Sequence, residues 1–328
     1  MSTLSSATAA EVFELLRDDL SAIEREFSSQ SASNVAVITD IAQYLIAGGG
    51  KRIRPLLLLL SAKALGCTSH SRIRLGAVVE MLHTATLVHD DVLDEATTRR
   101  HVATINSRWN NETSVLLGDY LFTHAFHLAS SLDSALACRL IGRATNLVCE
   151  GELCQIHERG NLDLTEEQYF EIIDGKTAEL CALCCFLGGY YAEASETVTK
   201  SLQNYGRSLG IAFQIADDLL DVLGSEEMTG KSLGSDFKKQ KLTLPLIRLL
   251  ATAAPQDATR IRELLAHPDE ASQVELERWL ERSDAIAYTR ARANEFAASA
   301  RENLSSLPES PARHLLEELT EFVTQRST

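Results

Sequence analysis

Apolar residues recur along this chain mostly at the three- and four-residue spacing of α-helices. Between Ala10 and Phe27, Val12, Leu15, Leu16, Leu20 and Ile23 share one side and acidic residues take the other. Leu75 to Asp94 is apolar nearly all round until its C-terminal end, the pattern of a buried central helix. Comparable patterns predict helices over Ser114–Leu132, Asp133–His157, Thr165–Ala192, Thr197–Leu223 and Leu242–Ala254. From Asp257 to the C-terminus, charged and apolar positions mix as they do on surface helices. Breaks are expected at Gly48–Gly50, Arg99–Asn111, Arg159–Asp163 and Gly224–Lys241. No strand alternation, fixed-period repeat or low-complexity linker is visible. The expectation is an all-α fold in a single domain over 1–328, with 1–20 as a loosely packed N-terminal extension.

Composition narrows the picture. Its 328 residues, 45% of them hydrophobic, can bury a sizeable core. The longest leucine run, Leu56–Leu60, is too short to cross a bilayer. Early acidic residues (Glu11, Glu14, Asp18, Asp19) speak against a secretory or transit leader, so a cytoplasmic location is expected. The seven cysteines are odd in number, and Cys181 and Cys184 lie among apolar neighbours with no second CxxC pair. Buried thiols of a reducing compartment explain them better than a zinc site. A net charge of −15 argues against nucleic acid. It does not exclude an anionic substrate where a metal bridges carboxylate to phosphate.

Two acidic clusters supply that possibility. Asp90-Asp91-Val92-Leu93-Asp94 ends one predicted helix, and Asp217-Asp218-Leu219-Leu220-Asp221 lies near the end of another. Four-residue spacing sets Asp90 with Asp94 and Asp217 with Asp221 on common helix faces. Like charges held together call for a shared cation, and hard carboxylate oxygens suit Mg²⁺ bound with substrate phosphates. A solvated polar helix end explains one such cluster well. It explains two, each below an apolar helix, poorly.

Basic residues accompany the clusters. Gly48-Gly49-Gly50-Lys51-Arg52-Ile53-Arg54-Pro55 reads as a turn entering a helix, with Lys51 and Arg54 on one side for phosphate. Arg99 and Arg100 follow the first cluster, either to hold phosphate or simply to neutralise the aspartates. His83 stands two turns before Asp90, as ligand or as core histidine. Lys176-Thr177 interrupts an apolar stretch where a lone ammonium is costly. Phe213-Gln214 precedes the second cluster, and Lys231 and Lys241 follow it.

With these residues assembled, the chain resembles the trans-polyprenyl diphosphate synthases, nearest the octaprenyl and heptaprenyl types. The matching stretches are GGGKRIRP at 48–55, HTATLVHDDVLDEATTRR at 83–100, LLGDYLFTHAF at 116–126, GKTAEL at 175–180, GIAFQIADDLLD at 210–221 and KSLGSDFKKQKLTLP at 231–245. The resemblance implies an isoprenoid-synthase-type helical bundle around a deep central cavity, and a homodimer. It implies that Asp90 and Asp94 bind two magnesium ions, and that Asp217, with Asp221 nearby, binds a third. Arg99, Lys176 and Lys241, helped by Lys231, would hold an allylic diphosphate. Lys51, Arg54, His83 and Arg100 would hold isopentenyl diphosphate, with Thr177 and Gln214 at the reacting centre; the ring of Phe213 is a further candidate to face the allylic cation. The double arginine is followed by His101, and Lys241 is preceded by Gln240, where the family has glycine.

The expected reaction is ionisation, condensation and elimination, with catalytic roles for Lys176, Thr177, Gln214 and Arg99. No general base stands out, and the departing diphosphate could take the proton. Positions four and five before Asp90, where bulky aromatics close the channel in short-product members of the family, hold the small Thr86 and Ala85. Each helical turn rises about 5.4 Å, close to one isoprene unit, so the expected product is about C30 to C50, centred near C40. Gly206 and Gly210 either widen the opposite wall or allow close helix approach. Two other readings are a class I terpene cyclase, which leaves the second basic set idle, and a non-catalytic subunit of a heteromeric prenyltransferase, which is expected to lose an acidic cluster.

Overall fold

A computed structural model describes residues 6–50, 52–99, 102–132, 135–223 and 235–325. Its helices fall into two compact units interleaved along the chain. The first comprises Met1–Arg143, Leu183–Gln203 and Leu304–Glu318, the second Ala144–Ala182, Asn204–Asn303 and Leu319–Thr328.

In the first unit the Ser71–Leu93 helix packs against Ser6–Ser31, Ile53–Ala64 and Asn111–Ser130. Its apolar circumference is the reason. Leu75, Val78, Val79, Met81 and Leu82 are almost wholly buried, as is the facing run Leu57–Leu60. The N-terminal helix is held from Leu15 onward, because Leu16 and Ile23 are buried and Asp19 takes ion pairs from Lys63 at 3.2 Å and Arg72 at 2.7 Å. A Cβ on Gly188 would come within 2.7 Å of the Leu58 carbonyl, so that backbone contact needs glycine.

The break expected at Arg99–Asn111 begins with a short ribbon. Thr98–Arg99 pairs antiparallel with Val102–Ala103, in register Thr98 to Ala103 and Arg99 to Val102. Two residues per strand are too few to show alternation, so the sequence could not reveal it.

The second unit is built on Glu166–Ile173, Leu244–Thr252, Pro255–Ala266, Glu270–Arg282 and Ala285–Asn303. Leu164, Tyr169, Ile172, Ile215, Phe237, Leu244, Leu264 and Leu280 form its core. Thr165 starts the first helix with a reciprocal cap, its side chain accepting from Gln168 N while the Gln168 side chain accepts from Thr165 N. The helix expected over Thr165–Ala192 is not uniform. It runs as an α-helix over Glu166–Ile173, a π-turn over Asp174–Ala178 and an α-helix over Glu179–Tyr191.

Candidate active site

The first acidic cluster closes the Ser71–Leu93 helix. Asp94 is its C-cap, donating its backbone N–H to the Asp90 carbonyl at 2.8 Å. Asp90 and Asp94 are half-exposed, whereas Asp91 is only 6% exposed. Arg99 Nε donates to Asp91 Oδ1 at 2.8 Å, and the Asp91 carbonyl accepts from Ala96 N at 2.9 Å and Asn106 Nδ2 at 3.3 Å. The middle carboxylate therefore fastens the following loop, and Arg99 neutralises it, one of the two roles expected of that arginine. Ala85 is buried and Thr86 half-buried, with its hydroxyl spent on the His83 carbonyl at 2.9 Å.

On the Ile53–Ala64 helix, Arg54 is half-buried, and its Nε–H meets no acceptor among the described residues. Such a donor suits an incoming anion. Arg52, which the sequence reading passed over, sits at a left-handed φ of 52° and pairs with Glu80 and, at 3.7 Å, with Glu24. That pairing anchors the glycine turn, where Gly49 has φ 65°. Lys51, Arg100 and Lys231 lie outside the described residues.

The second unit joins its expected residues into one chain of hydrogen bonds. Thr177 Oγ1 donates to Gln214 Oε1 at 2.9 Å, and Gln214 Nε2 donates to Asp218 Oδ1 at 2.8 Å. Tyr169 OH donates to Asp218 Oδ2 at 2.7 Å. Lys176 is paired with Glu152 and donates to Gln155 Oε1 at 2.7 Å. Asp218 is 4% exposed, and burial, with the charge of Asp236, pushes its carboxyl up to about 8. Burial and then Asp218 hold the Tyr169 hydroxyl well above its ordinary range, so it stays a donor.

Asp217 and Asp221 are half-exposed, as is Phe213. Asp221 Oδ2 accepts from Asp236 N at 3.0 Å, and Lys241 Nζ lies 3.9 Å from Asp236 Oδ1. Glu152, Gln155, Tyr169 and Asp236 are the contributors that sequence reasoning missed. Glu152 and Gln155 show helical i, i+3 spacing, a signal visible only once Lys176 is known to face them.

Gly210 also finds its explanation. A Cβ there would lie 2.7 Å from Ala178 Cα, so close helix approach, not an open wall, requires this glycine. All seven cysteines are thiols, with Cys181, Cys184 and Cys185 buried. No described helix is long and apolar enough to cross a membrane.

The donor set fits magnesium. Both clusters offer half-exposed carboxylates four apart, and among the described residues no three His, Cys, Asp or Glu side chains form a metal cage of their own. Mg²⁺ commonly takes one or two carboxylates and completes its shell with water and substrate phosphates.

An all-α protein with an acidic helix end in each unit and an unsatisfied arginine N–H has the donor chemistry of proteins that handle diphosphates through divalent metal. Comparison with known proteins makes this specific. The polyprenyl synthetase family model matches residues 35–282. The octaprenyl diphosphate synthase of Escherichia coli is 38% identical over 316 residues, covering 95% of this chain and 97% of that protein. Heptaprenyl diphosphate synthase component 2 of Geobacillus stearothermophilus is 35% identical over 316 residues, covering 96% and 98%. The crystal structure of a polyprenyl synthase from Caulobacter crescentus, in complex with calcium and isoprenyl diphosphate, aligns with a TM-score of 0.92 at 35% identity, over 97% of this chain and 98% of that one. The chain belongs to the polyprenyl synthetase family, and it is a trans-prenyltransferase with the all-α fold of that family. The family is magnesium-dependent.

Proposed function

We propose that this enzyme extends an allylic prenyl diphosphate with isopentenyl diphosphate to a product of about C30 to C50, near C40, at one isoprene unit for about each helical turn of channel depth. The whole chain would act as one polyprenyl synthase domain around a deep cavity, as a cytoplasmic homodimer. The observation that carries the reading is shared by the two clusters: each middle aspartate is buried and tied down, while the outer pair stays half-exposed.

In this reading Asp90 and Asp94 would hold two magnesium ions and Asp217, with Asp221, a third. The chemistry such ions would supply there is neutralisation of charge on a leaving diphosphate. Lys176 and Lys241 bind the same diphosphate, with Lys231 assisting, and Arg99, held through Nε on Asp91, would offer it its terminal nitrogens. Arg54, Lys51, His83 and Arg100 orient isopentenyl diphosphate, and the unsatisfied Arg54 Nε–H supports that assignment. Thr177 and Gln214, fixed by Asp218, turn oxygen lone pairs toward the allylic cation, and Phe213 offers a ring face. Ala85 and Thr86 leave room for the growing tail.

The relative described as component 2 keeps a heteromeric assembly in view, and the mass of the purified enzyme in solution distinguishes it from a homodimer. Incubation with labelled isopentenyl diphosphate, farnesyl diphosphate and Mg²⁺, followed by product sizing, tests the function. Elongated diphosphates of the stated length are expected. A diphosphate-free hydrocarbon would mean a cyclase, and no turnover a partner subunit.

A further inference from the structure

The Asp174–Ala178 turn carries Lys176 and Thr177, and its winding decides where those side chains stand. Its defining hydrogen bond runs from Glu179 N–H to the Asp174 carbonyl, five residues back. Arg207, on the neighbouring Glu196–Leu223 helix, grips both ends of that same bond. One terminal nitrogen holds the Asp174 carboxylate and the other the Glu179 carboxylate. In an α-helix, residues five apart stand roughly 140° apart around the axis. A turn bonded across five residues narrows that angle and brings the two closer together. A single guanidinium can therefore span Asp174 and Glu179 readily only when this turn is wound as a π-turn.

The surrounding packing fits the same geometry. A Cβ on Gly151 would lie 2.6 Å from Lys176 N, and one on Gly175 would lie 2.9 Å from the Leu147 carbonyl. The widened turn thus presses directly on the Ala135–His157 helix, toward which Lys176 reaches to Glu152 and Gln155. One residue on, Thr177 reaches the other way, to Gln214 on the helix that bears Arg207. Simple neutralisation of two acids would not require that they be the two ends of one π hydrogen bond.

We infer that Arg207 is a positioning residue: by clamping Asp174 to Glu179 it holds the π-turn and thereby sends Lys176 and Thr177 to opposite neighbours. The consequence for catalysis rests on the roles proposed above for Lys176 and Thr177.

The test compares Arg207→Met, Arg207→Lys and Lys176→Met in the full-length enzyme, with Glu179→Gln as a milder substitute should Arg207→Met fail to fold. Amide hydrogen exchange at Glu179 reads the stability of its bond to Asp174 and should accelerate in Arg207→Met as the turn loosens, with Arg207→Lys intermediate. In steady-state kinetics the clamp predicts a fall in kcat of about 10- to 100-fold, the size expected for a misplacement of about 1 Å. The KM for the allylic diphosphate should rise while that for isopentenyl diphosphate holds, and Arg207→Met should cost little more in a Lys176→Met/Thr177→Ala background. Unchanged exchange at Glu179, or kinetic losses that simply multiply, would overturn the inference. Faster exchange with normal kinetics in both Arg207→Met and Lys176→Met would instead uphold the winding and overturn the proposed role of Lys176.

Discussion

Asp91 and Asp218 occupy the middle of their clusters, and burial decides what each can do. Asp91 spends its charge on Arg99, while Asp218 takes its hydrogen bonds from the neutral side chains of Tyr169 and Gln214. Raised from 3.8 to about 8, Asp218 makes the folded state hold a proton that the unfolded chain releases. Its contribution to stability is therefore full below the unfolded value and is lost as pH climbs toward about 8. Asp218→Asn should remove this dependence; its amide oxygen can still accept from Gln214 Nε2, while its Nδ2 would donate to the Tyr169 oxygen in place of the present bond. Thermal melts in chelator are expected to show the variant gaining on the parent as pH rises from about 5 to about 8, and parallel curves would contradict the assignment. The spacing of the aspartates was legible in the sequence, as was the separation of outer metal candidates from middle residues. Tyr169, 49 positions from Asp218, was not, because only folding brings it there.

Among elements, the helices were readable because a long apolar stripe shows its period over several turns, as in Ala10–Phe27. The π-turn was not. Asp174-Gly175-Lys176-Thr177-Ala178 shows in the sequence only as a polar interruption of an apolar stretch, and one added residue per turn leaves no mark in local spacing. Close approaches were equally hidden, since a glycine looks the same whether it spares a ligand or a neighbouring backbone. Gly210 resolves that ambiguity by its contact with Ala178. Gly210→Ala should destabilise the protein by about 1–3 kcal/mol through overpacking. A lowered urea midpoint with an unchanged slope would support this, whereas an unchanged midpoint would contradict it.

For the whole molecule, the order of motifs from Gly48 to Pro245 carried the family, and the comparisons bear it out. In the proposed channel, product length would be set by a few side chains below Asp90. Thr86→Phe should shorten the product by several isoprene units, at about 5.4 Å of channel per turn, as read from the same sizing of labelled products. An unchanged product would remove Thr86 from the channel. The central claim is that both acidic clusters act together on a single leaving group. It is tested most directly by the kcat/KM values of Asp90→Asn, Asp217→Asn and the double variant at saturating Mg²⁺. Each single change should cost about 10²- to 10³-fold or more, and the pair little beyond the worse single, because groups acting as a unit are not additive. A near-normal rate in either single variant, or losses that multiply in the double, would contradict the account.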